Sequence, residues 1–344
     1  MPARRQRPSI GVIYTGGTFG MVPSERGYVP TEDLPERAEA ALRDHGPVEL
    51  PAFDWIDSGQ PAVDSGAIEP RFWFELAQVV AAAAEAHDGF VVVHGTDTLA
   101  YTGSALSFLL AGLERPVVVT GSSRPLGERG SDALDNLLHA LRVAAAQDCH
   151  EVTLAFGERL LRANRATKRH GTAAEPFDSP CFPPLAELGH SIHWRRVEPP
   201  PAVEPGPLPR AAWGDTRVAM LPVHPGIEGN TIRALRETGI DALVLEGYAA
   251  GIGPGGNTDF VRSIRECTDA GIVCGAVSQS REGYVQLGRY ALSTPLADAG
   301  LVGGADMTRE AALTKLHYLL GQGLAASDVA AAFGRNLRGE LSER

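Results

Sequence analysis

The chain has 344 residues, 44% of them hydrophobic and 21% charged. That length and apolar content support a substantial core divided between two domains, and they exclude wholesale disorder. Acidic residues outnumber basic ones by 42 to 31, a net charge of −11, which disfavours nucleic acid and other polyanions as partners.

Arg4, Arg5 and Arg7 are too few and too terminal to form a basic patch, and no apolar h-region follows them, so no secretory signal is expected. No apolar run reaches the roughly 18–20 residues that a membrane span needs. Cys149, Cys181, Cys267 and Cys274 lack metal-type spacing. They read as four reduced, mostly buried thiols, with no metal site.

In chain order the pattern is a short β-branched run, turn residues, then an Ala/Leu-rich stretch. Ser9–Thr15 reads as a strand and Pro70–Ala86 as a helix, with Pro70 in its first turn and Phe72, Leu76, Val79 and Val80 on one face. Gly89–Val93 is an apolar strand, Leu99–Leu113 a helix, Pro116–Thr120 a strand, Asp132–Ala146 a helix and Val152–Phe156 a strand. Such alternation predicts a mainly parallel sheet covered on both faces.

The proline-rich stretch 197–214 interrupts the rhythm and reads as a stiff linker. Beyond it come the strand Val218–Leu221, a helix over Thr231–Glu237, the strand Ala242–Glu246, a helix including Phe260–Thr268 and the strand Ile272–Val277. The helices Thr308–Leu320 and Ser327–Phe333 close the chain.

In open α/β sheets ligands bind beyond the carboxyl ends of the strands. After the first strand stands Thr15-Gly16-Gly17-Thr18-Phe19-Gly20. Paired glycines permit a tight turn with accessible N–H groups, and the hydroxyl that follows suits nucleophilic attack with oxyanion stabilisation. The same residues also suit a capped glycine turn or a phosphate cradle. After Gly89–Val93 comes His94-Gly95-Thr96-Asp97-Thr98. Asp97 is either a helix N-terminal acid or the partner of a substrate ammonium, whereas His94, directly after an apolar strand, reads as structural. After Val152–Phe156 a basic loop carries Arg159, Arg162, Arg165, Lys168, Arg169 and His170. Runs of this kind are usually solvated, but one lysine among hydroxyls and a carboxylate can tune a proton transfer.

Taken together, the segments YTGGTFGM (Tyr14–Met21), RGYVP (Arg26–Pro30), DSGAIEPRFW (Asp64–Trp73), HGTDTLAYTGSALSF (His94–Phe108), VVVTGSSRPLGERGSDALDNLLHAL (Val117–Leu141), NRATK (Asn164–Lys168), GGADMTREAALTKLHYLL (Gly303–Leu320) and NLRGEL (Asn336–Leu341) resemble the bacterial L-asparaginases of the cytoplasmic type I branch. The resemblance implies two α/β domains: a larger N-terminal catalytic domain, 1–196, with a mainly parallel, flavodoxin-like sheet, then the linker 197–214, and a smaller Rossmann-like C-terminal domain, 215–344. It implies hydrolysis of L-asparagine to L-aspartate and ammonia with Thr18 as nucleophile, a β-aspartyl ester and Tyr28 assisting proton removal. Thr96, Asp97 and Lys168 form the second constellation. Gly17, Asp64, Ser65, Gly66, Thr96 and Asp97 bind substrate, Ser65 gripping the α-carboxylate and Asp97 the α-ammonium. Attack by water held near Thr96 is the competing scheme.

The resemblance further implies no metal or organic cofactor, a homodimer or homotetramer, a cytoplasmic location and neither nucleic-acid nor membrane partners. The sequence departs from the family at Gly66, where relatives often carry Gln or Ser. A second Asp-Ser pair, Asp57-Ser58-Gly59-Gln60, lies upstream, but Asp64-Ser65 has the family spacing to Pro70–Trp73. Glu246 and Ser280 occupy the positions of an arginine and a cysteine through which some type I members respond to asparagine, so that response is expected to be missing. Three alternatives stay open. Glutaminase activity is one, since a methylene is worth only about 1–3 kcal/mol of selectivity. The amidase component of a tRNA amidotransferase is another, disfavoured by the acidic charge and the lack of an extra N-terminal domain. The third is a dinucleotide-binding module built on Gly251-Ile252-Gly253-Pro254-Gly255-Gly256, which matches G-x-G-x-x-G but has no acidic residue at the end of the next strand.

Overall fold

The computed structural model describes residues 8–44, 50–171, 173–204, 215–251 and 253–343. Arg4, Arg5 and Arg7, the linker portion 205–214 and Ile252 lie outside the described residues. The chain divides into two compact units, one essentially N-terminal and one dominated by 209–344.

The N-terminal unit is built on an eight-stranded sheet. Its order is Ile192–Trp194, Ala186–Leu188, Arg159–Arg162, Val152–Phe156, Val117–Thr120, Gly89–Val93, Ser9–Tyr14 and Ala52–Ile56. The five strands from Val152–Phe156 to Ala52–Ile56 are mutually parallel, and the last three in the chain pair antiparallel. Numbered along the chain, the parallel five run 2-1-3-4-5, the flavodoxin-like order expected. Strand order therefore reverses between Ser9–Tyr14 and Gly89–Val93. Gly89–Val93 is buried throughout, as are Ile10, Val12 and Ile13, because helices cover both faces.

The C-terminal unit has a four-stranded parallel sheet, Val218–Pro222, Ala242–Gly247, Val273–Ser278 and Val302–Gly303, in chain order with no reversal. One face carries a core of Ile232, Phe260, Ile264 and Leu296 from the intervening helices. The other is covered by Leu316, Val329 and Phe333 of the closing helices Arg309–Gly321 and Ala326–Phe333.

Several boundaries shift. The helix foreseen to Ala86 ends at Ala83, and the one foreseen to Leu113 ends at Leu109, where the chain turns through Gly112 and Glu114, both at positive φ. The helix Leu34–Asp44, the strand Ala52–Ile56 and the hairpin Val22–Ser24/Gly27–Val29 have no counterpart in the sequence reading. The basic segment is not one solvated loop. Arg159–Arg162 is an antiparallel strand, Arg162 and Arg165 are buried, and Arg162 binds Glu151 at 2.6 Å. The thiols are less buried than foreseen, since Cys267 and Cys274 are buried but Cys149 and Cys181 are half-buried.

Candidate active site

Strand Ser9–Tyr14 ends in Thr15, whose N–H and hydroxyl both donate to Val93 O, at 3.0 and 3.1 Å. The chain then enters two residues that need glycine, since Gly16 has φ +112° and Gly17 has φ +81°. A Cβ on Gly16 would sit 2.1 Å from Val63 O, and one on Gly17 would sit 2.1 Å from Gly95 Cα. The turn is thus pressed between the segment before Asp64 and the turn before Thr96. Gly17 N donates to Val63 O at 2.9 Å, so its N–H is not the open donor foreseen and Gly17 contributes close approach instead. Thr18 opens a short 3₁₀ turn, Thr18–Gly20, and is half-buried.

The Asp64 carboxylate accepts from Gly66 N at 2.9 Å and caps the 3₁₀ turn Ser65–Ala67. Ser65 is buried, with its Oγ 2.6 Å from where a Cβ on Gly95 would lie. Gly66 is exposed. The upstream Ser58 hydroxyl donates to Gln60 O at 2.7 Å within its own turn.

The His94-Gly95-Thr96-Asp97 turn joins this group. The buried His94 imidazole is wired on both sides: Trp73 Nε1 donates to Thr102 Oγ1, which lies 3.0 Å from His94 Nε2, and His94 Nδ1 lies 2.7 Å from Gly95 O. Consistent directions make Thr102 the donor to Nε2 and Nδ1–H the donor to Gly95. Burial depresses the imidazole pKa to about 4, which keeps it neutral and structural, as expected. Thr98 Oγ1 donates to Ser65 O at 2.9 Å, fastening the helix start to the Ser65 turn.

Lys168 comes from the two-residue strand Thr167–Lys168, paired with Phe177–Asp178. Its ammonium donates to Thr96 Oγ1 at 2.8 Å and to Asp97 Oδ1 at 2.6 Å. Lys168 is 18% exposed and Asp97 71%, so the pair opens to solvent on its carboxylate side. Asp97 stands ahead of the helix Leu99–Leu109 and gives its carboxylate to Lys168.

Tyr28 sits on the exposed hairpin, and its hydroxyl donates to Glu128. That hydrogen bond and the carboxylate charge raise the phenol pKa. The sequence reading did not single out Glu128, which is 100 residues from Tyr28. Its one signal was its place inside the segment Val117–Leu141.

The structure therefore brings the Thr18 turn, Asp64–Ser65 and Thr96–Asp97–Lys168 into direct contact where strand order reverses. Tyr28 stands on a separate hairpin tied to Glu128. The four-glycine alternative belongs to the other unit. Gly255 lies in the C-terminal unit, where a Cβ would come 1.7 Å from Leu292 O, and that sheet has no order reversal to open a crevice. Among the described residues no cluster of His, Cys, Asp or Glu is arranged to hold a metal, and no helix is long and apolar enough to cross a membrane.

Comparison with known proteins adds the following. Residues 9–199 match the asparaginase N-terminal family model, and residues 217–333 match the glutaminase/asparaginase C-terminal domain. The chain is 44% identical to L-asparaginase 1 of Escherichia coli K12 over 338 residues, covering 98% of this chain and 99% of that protein. It is 30% identical to a component of the glutamyl-tRNA(Gln) amidotransferase of Pyrococcus furiosus, covering 92% of this chain and 73% of that one. Among solved structures, L-asparaginase I from Vibrio cholerae superposes with a TM-score of 0.87 at 36% identity, covering 98% of this chain and 100% of that one. The thermostable L-asparaginase from Thermococcus kodakarensis gives 0.86 at 31%, with the same coverage. On sequence and fold together, the chain belongs to the asparaginase family.

Proposed function

We propose that this protein is an amidohydrolase that converts L-asparagine to L-aspartate and ammonia. The observation that supports the reading is the close approach of Gly17, the residue before Thr18, to Gly95, the residue before Thr96, whose hydroxyl and the Asp97 carboxylate both accept from Lys168. Ser65 grips the α-carboxylate and Asp97 the α-ammonium, with Gly66 leaving room at that end. Two charges held apart on a rigid frame orient the side-chain amide toward one hydroxyl.

Thr18 Oγ then attacks the amide carbon while its proton passes toward the Tyr28 oxygen. Tyr28 gives its own proton to Glu128, so its lone pairs face the incoming one. The relayed proton returns to the amide nitrogen as the C–N bond breaks, so the nitrogen leaves as ammonia and a β-aspartyl ester on Thr18 remains. Water adds to the ester and the Thr18–carbonyl bond breaks, the proton that water loses passing to the Thr18 oxygen, so that aspartate leaves and the hydroxyl is restored. Lys168, donating to Thr96 Oγ1, stabilises negative charge on that hydroxyl and serves this second step. No cofactor enters the scheme.

The reading extends to a cytoplasmic homodimer or homotetramer with domains 1–196 and 215–344 joined by 197–214, and light scattering checks the assembly. It includes no asparagine response through Glu246, whose carboxylate faces Arg309 at 3.4 Å. Thr18→Ala, assayed for ammonia from asparagine beside glutamine, tests the chemistry. Activity falls at least about 10³-fold, or ~4 kcal/mol of barrier. Full activity in that variant overturns the nucleophile, and comparable rates on glutamine give the mixed amidase.

A further inference from the structure

The hairpin that carries Tyr28 has almost no core. Val22 is half-buried, and the other residues of its two strands are exposed. Its position relative to Thr18 must therefore be set elsewhere. At its base stands Arg37, on the helix Leu34–Asp44, with a side chain only 26% exposed. One guanidinium nitrogen donates to Gly20 O at 2.9 Å, to Thr31 Oγ1 at 3.3 Å and to Asp33 Oδ1 at 3.5 Å. The other terminal nitrogen donates to Leu126 O at 3.1 Å.

These acceptors belong to three different parts of the site. Gly20 closes the turn that Thr18 opens. Thr31 is where the hairpin returns, and its hydroxyl also lies 3.1 Å from Gly20 O. Leu126 N donates back to Phe19 O at 2.9 Å, and two residues on comes Glu128, the partner of Tyr28. On the other side of Gly20, the Tyr14 hydroxyl fills the place a Cβ would take, 2.1 Å away, so the turn is backed by packed side chain. Arg37 is thus a single cation shared by the nucleophile turn, the hairpin exit and the Glu128 loop.

Resting on the asparaginase reading with Thr18 and Tyr28 in their roles, we propose that Arg37 is a positioning residue for the hydrolysis. Its planar fork holds the carbonyls of Gly20 and Leu126 in fixed directions, with charge-assisted bonds that a neutral donor would not match. It thereby sets the separation between the Thr18 hydroxyl and the Tyr28 phenol without touching the substrate. An error of about 1 Å in such a separation costs on the order of 10²-fold in rate.

The test uses the full chain. Arg37→Met lowers kcat on asparagine by roughly ten- to a hundredfold with KM within about twofold, because Ser65 and Asp97 are untouched. Arg37→Lys, which restores charge but not the fork, falls between. In a Tyr28→Phe background, adding Arg37→Met costs no more than about twofold further, since the geometry it sets is no longer used. The hairpin is read directly by trypsin at the exposed Arg26, which is cut several-fold faster in Arg37→Met than in the parent. A kcat within about twofold of the parent, a KM rise at unchanged kcat, or an undiminished loss in the Tyr28→Phe background each overturns the proposal. If Arg37→Met fails to fold, Thr31→Val breaks the hairpin link alone: faster Arg26 cleavage with a few-fold lower kcat supports the anchor, and no change in either overturns it. If the parent enzyme releases no ammonia from asparagine, the asparaginase reading falls by itself. Equal Arg26 cleavage with and without Arg37 then overturns the anchor separately.

Discussion

The chain holds two lysines, one in each unit, and both contact a carboxylate. Lys168 meets Asp97 at 2.6 Å and Lys315 meets Glu340 at 2.5 Å. By distance the pairs are alike, and their surroundings separate them. Lys315 and Glu340 are fully buried, and the ammonium also donates to the carbonyls of Phe333 and Arg335, while Glu340 accepts from the N–H groups of Leu337 and Arg338. That pair locks the chain end onto the helix Arg309–Gly321, and every bond it can form is used. Lys168 instead shares its charge with a hydroxyl and a carboxylate that is mostly exposed. The sheets differ in the same sense. The N-terminal strand order reverses and leaves loops diverging at one place, whereas the C-terminal strands follow one another without a break. Of the two lysine–acid pairs, only Lys168–Asp97 keeps its carboxylate open to solvent.

Replacing each lysine by methionine separates the two roles most widely. Lys168→Met lowers ammonia release by at least about 10³-fold, ~4 kcal/mol, and shifts unfolding by less than about 1 kcal/mol because Asp97 regains water. Lys315→Met strands a buried carboxylate and costs about 3–5 kcal/mol of folding stability. Urea titrations of both variants, beside the ammonia assay, check this. Comparable destabilisation by the two substitutions would erase the distinction between an open pair and a sealed one.

Two tight glycines sharpen the contrast at smaller magnitude. Gly17→Ala forces a Cβ toward Gly95 Cα at a positive φ, and Gly255→Ala drives one toward Leu292 O. Both cost roughly 1–3 kcal/mol of stability. Only Gly17→Ala, by prising the Thr18 turn from Thr96, also lowers kcat. A stable, folded Gly17→Ala enzyme with parental kcat would break the link between that contact and activity.

What the sequence made legible follows from range. The parallel strands were visible because Gly89–Val93 and Val152–Phe156 are wholly apolar or nearly so over five residues, the pattern of a strand buried on both faces. The Thr18 and Thr96 turns were visible because each directly follows such a strand. Lys168 is the one lysine among the six basic residues of its segment, but only the family resemblance could tie it to Thr96 and Asp97, which lie 72 and 71 residues away. Charge patterning misjudged its neighbours: Arg162 looks solvated in sequence but is neutralised by Glu151 inside the fold. The hairpin had no apolar alternation to announce it, because nearly all its strand residues face solvent. Glu128 and Arg37 act through partners up to 100 residues away, which no window on the chain contains.

The gentlest probe of the comparison is acid. Among the described residues, each unit buries one histidine whose pKa burial depresses to about 4: His94 behind the Thr96 turn, and His317 on the helix Arg309–Gly321, 2.7 Å from Thr216 Oγ1. In the unfolded chain both imidazoles take a proton near pH 6.5. Folded, they stay neutral until about pH 4, so the unfolded state binds more protons in between. Stability contributed by this difference is full above about pH 6.5 and is lost as pH falls toward about 4, at roughly 1 kcal/mol per pH unit for each histidine. His94→Asn removes that slope from the N-terminal unit alone, and His317→Asn from the C-terminal unit alone. Hydrogen exchange at pH 7 and 5.5, read on the amides of Val91–Val93 and of Val244–Leu245, resolves the two units. Each variant loses some stability at pH 7 but flattens the acid dependence only of the strands in its own unit. An unchanged slope in His94→Asn would mean that the imidazole already ionises inside the fold. The Trp73–Thr102–His94–Gly95 relay would then carry a charge behind the Thr96 turn instead of a neutral donor and acceptor.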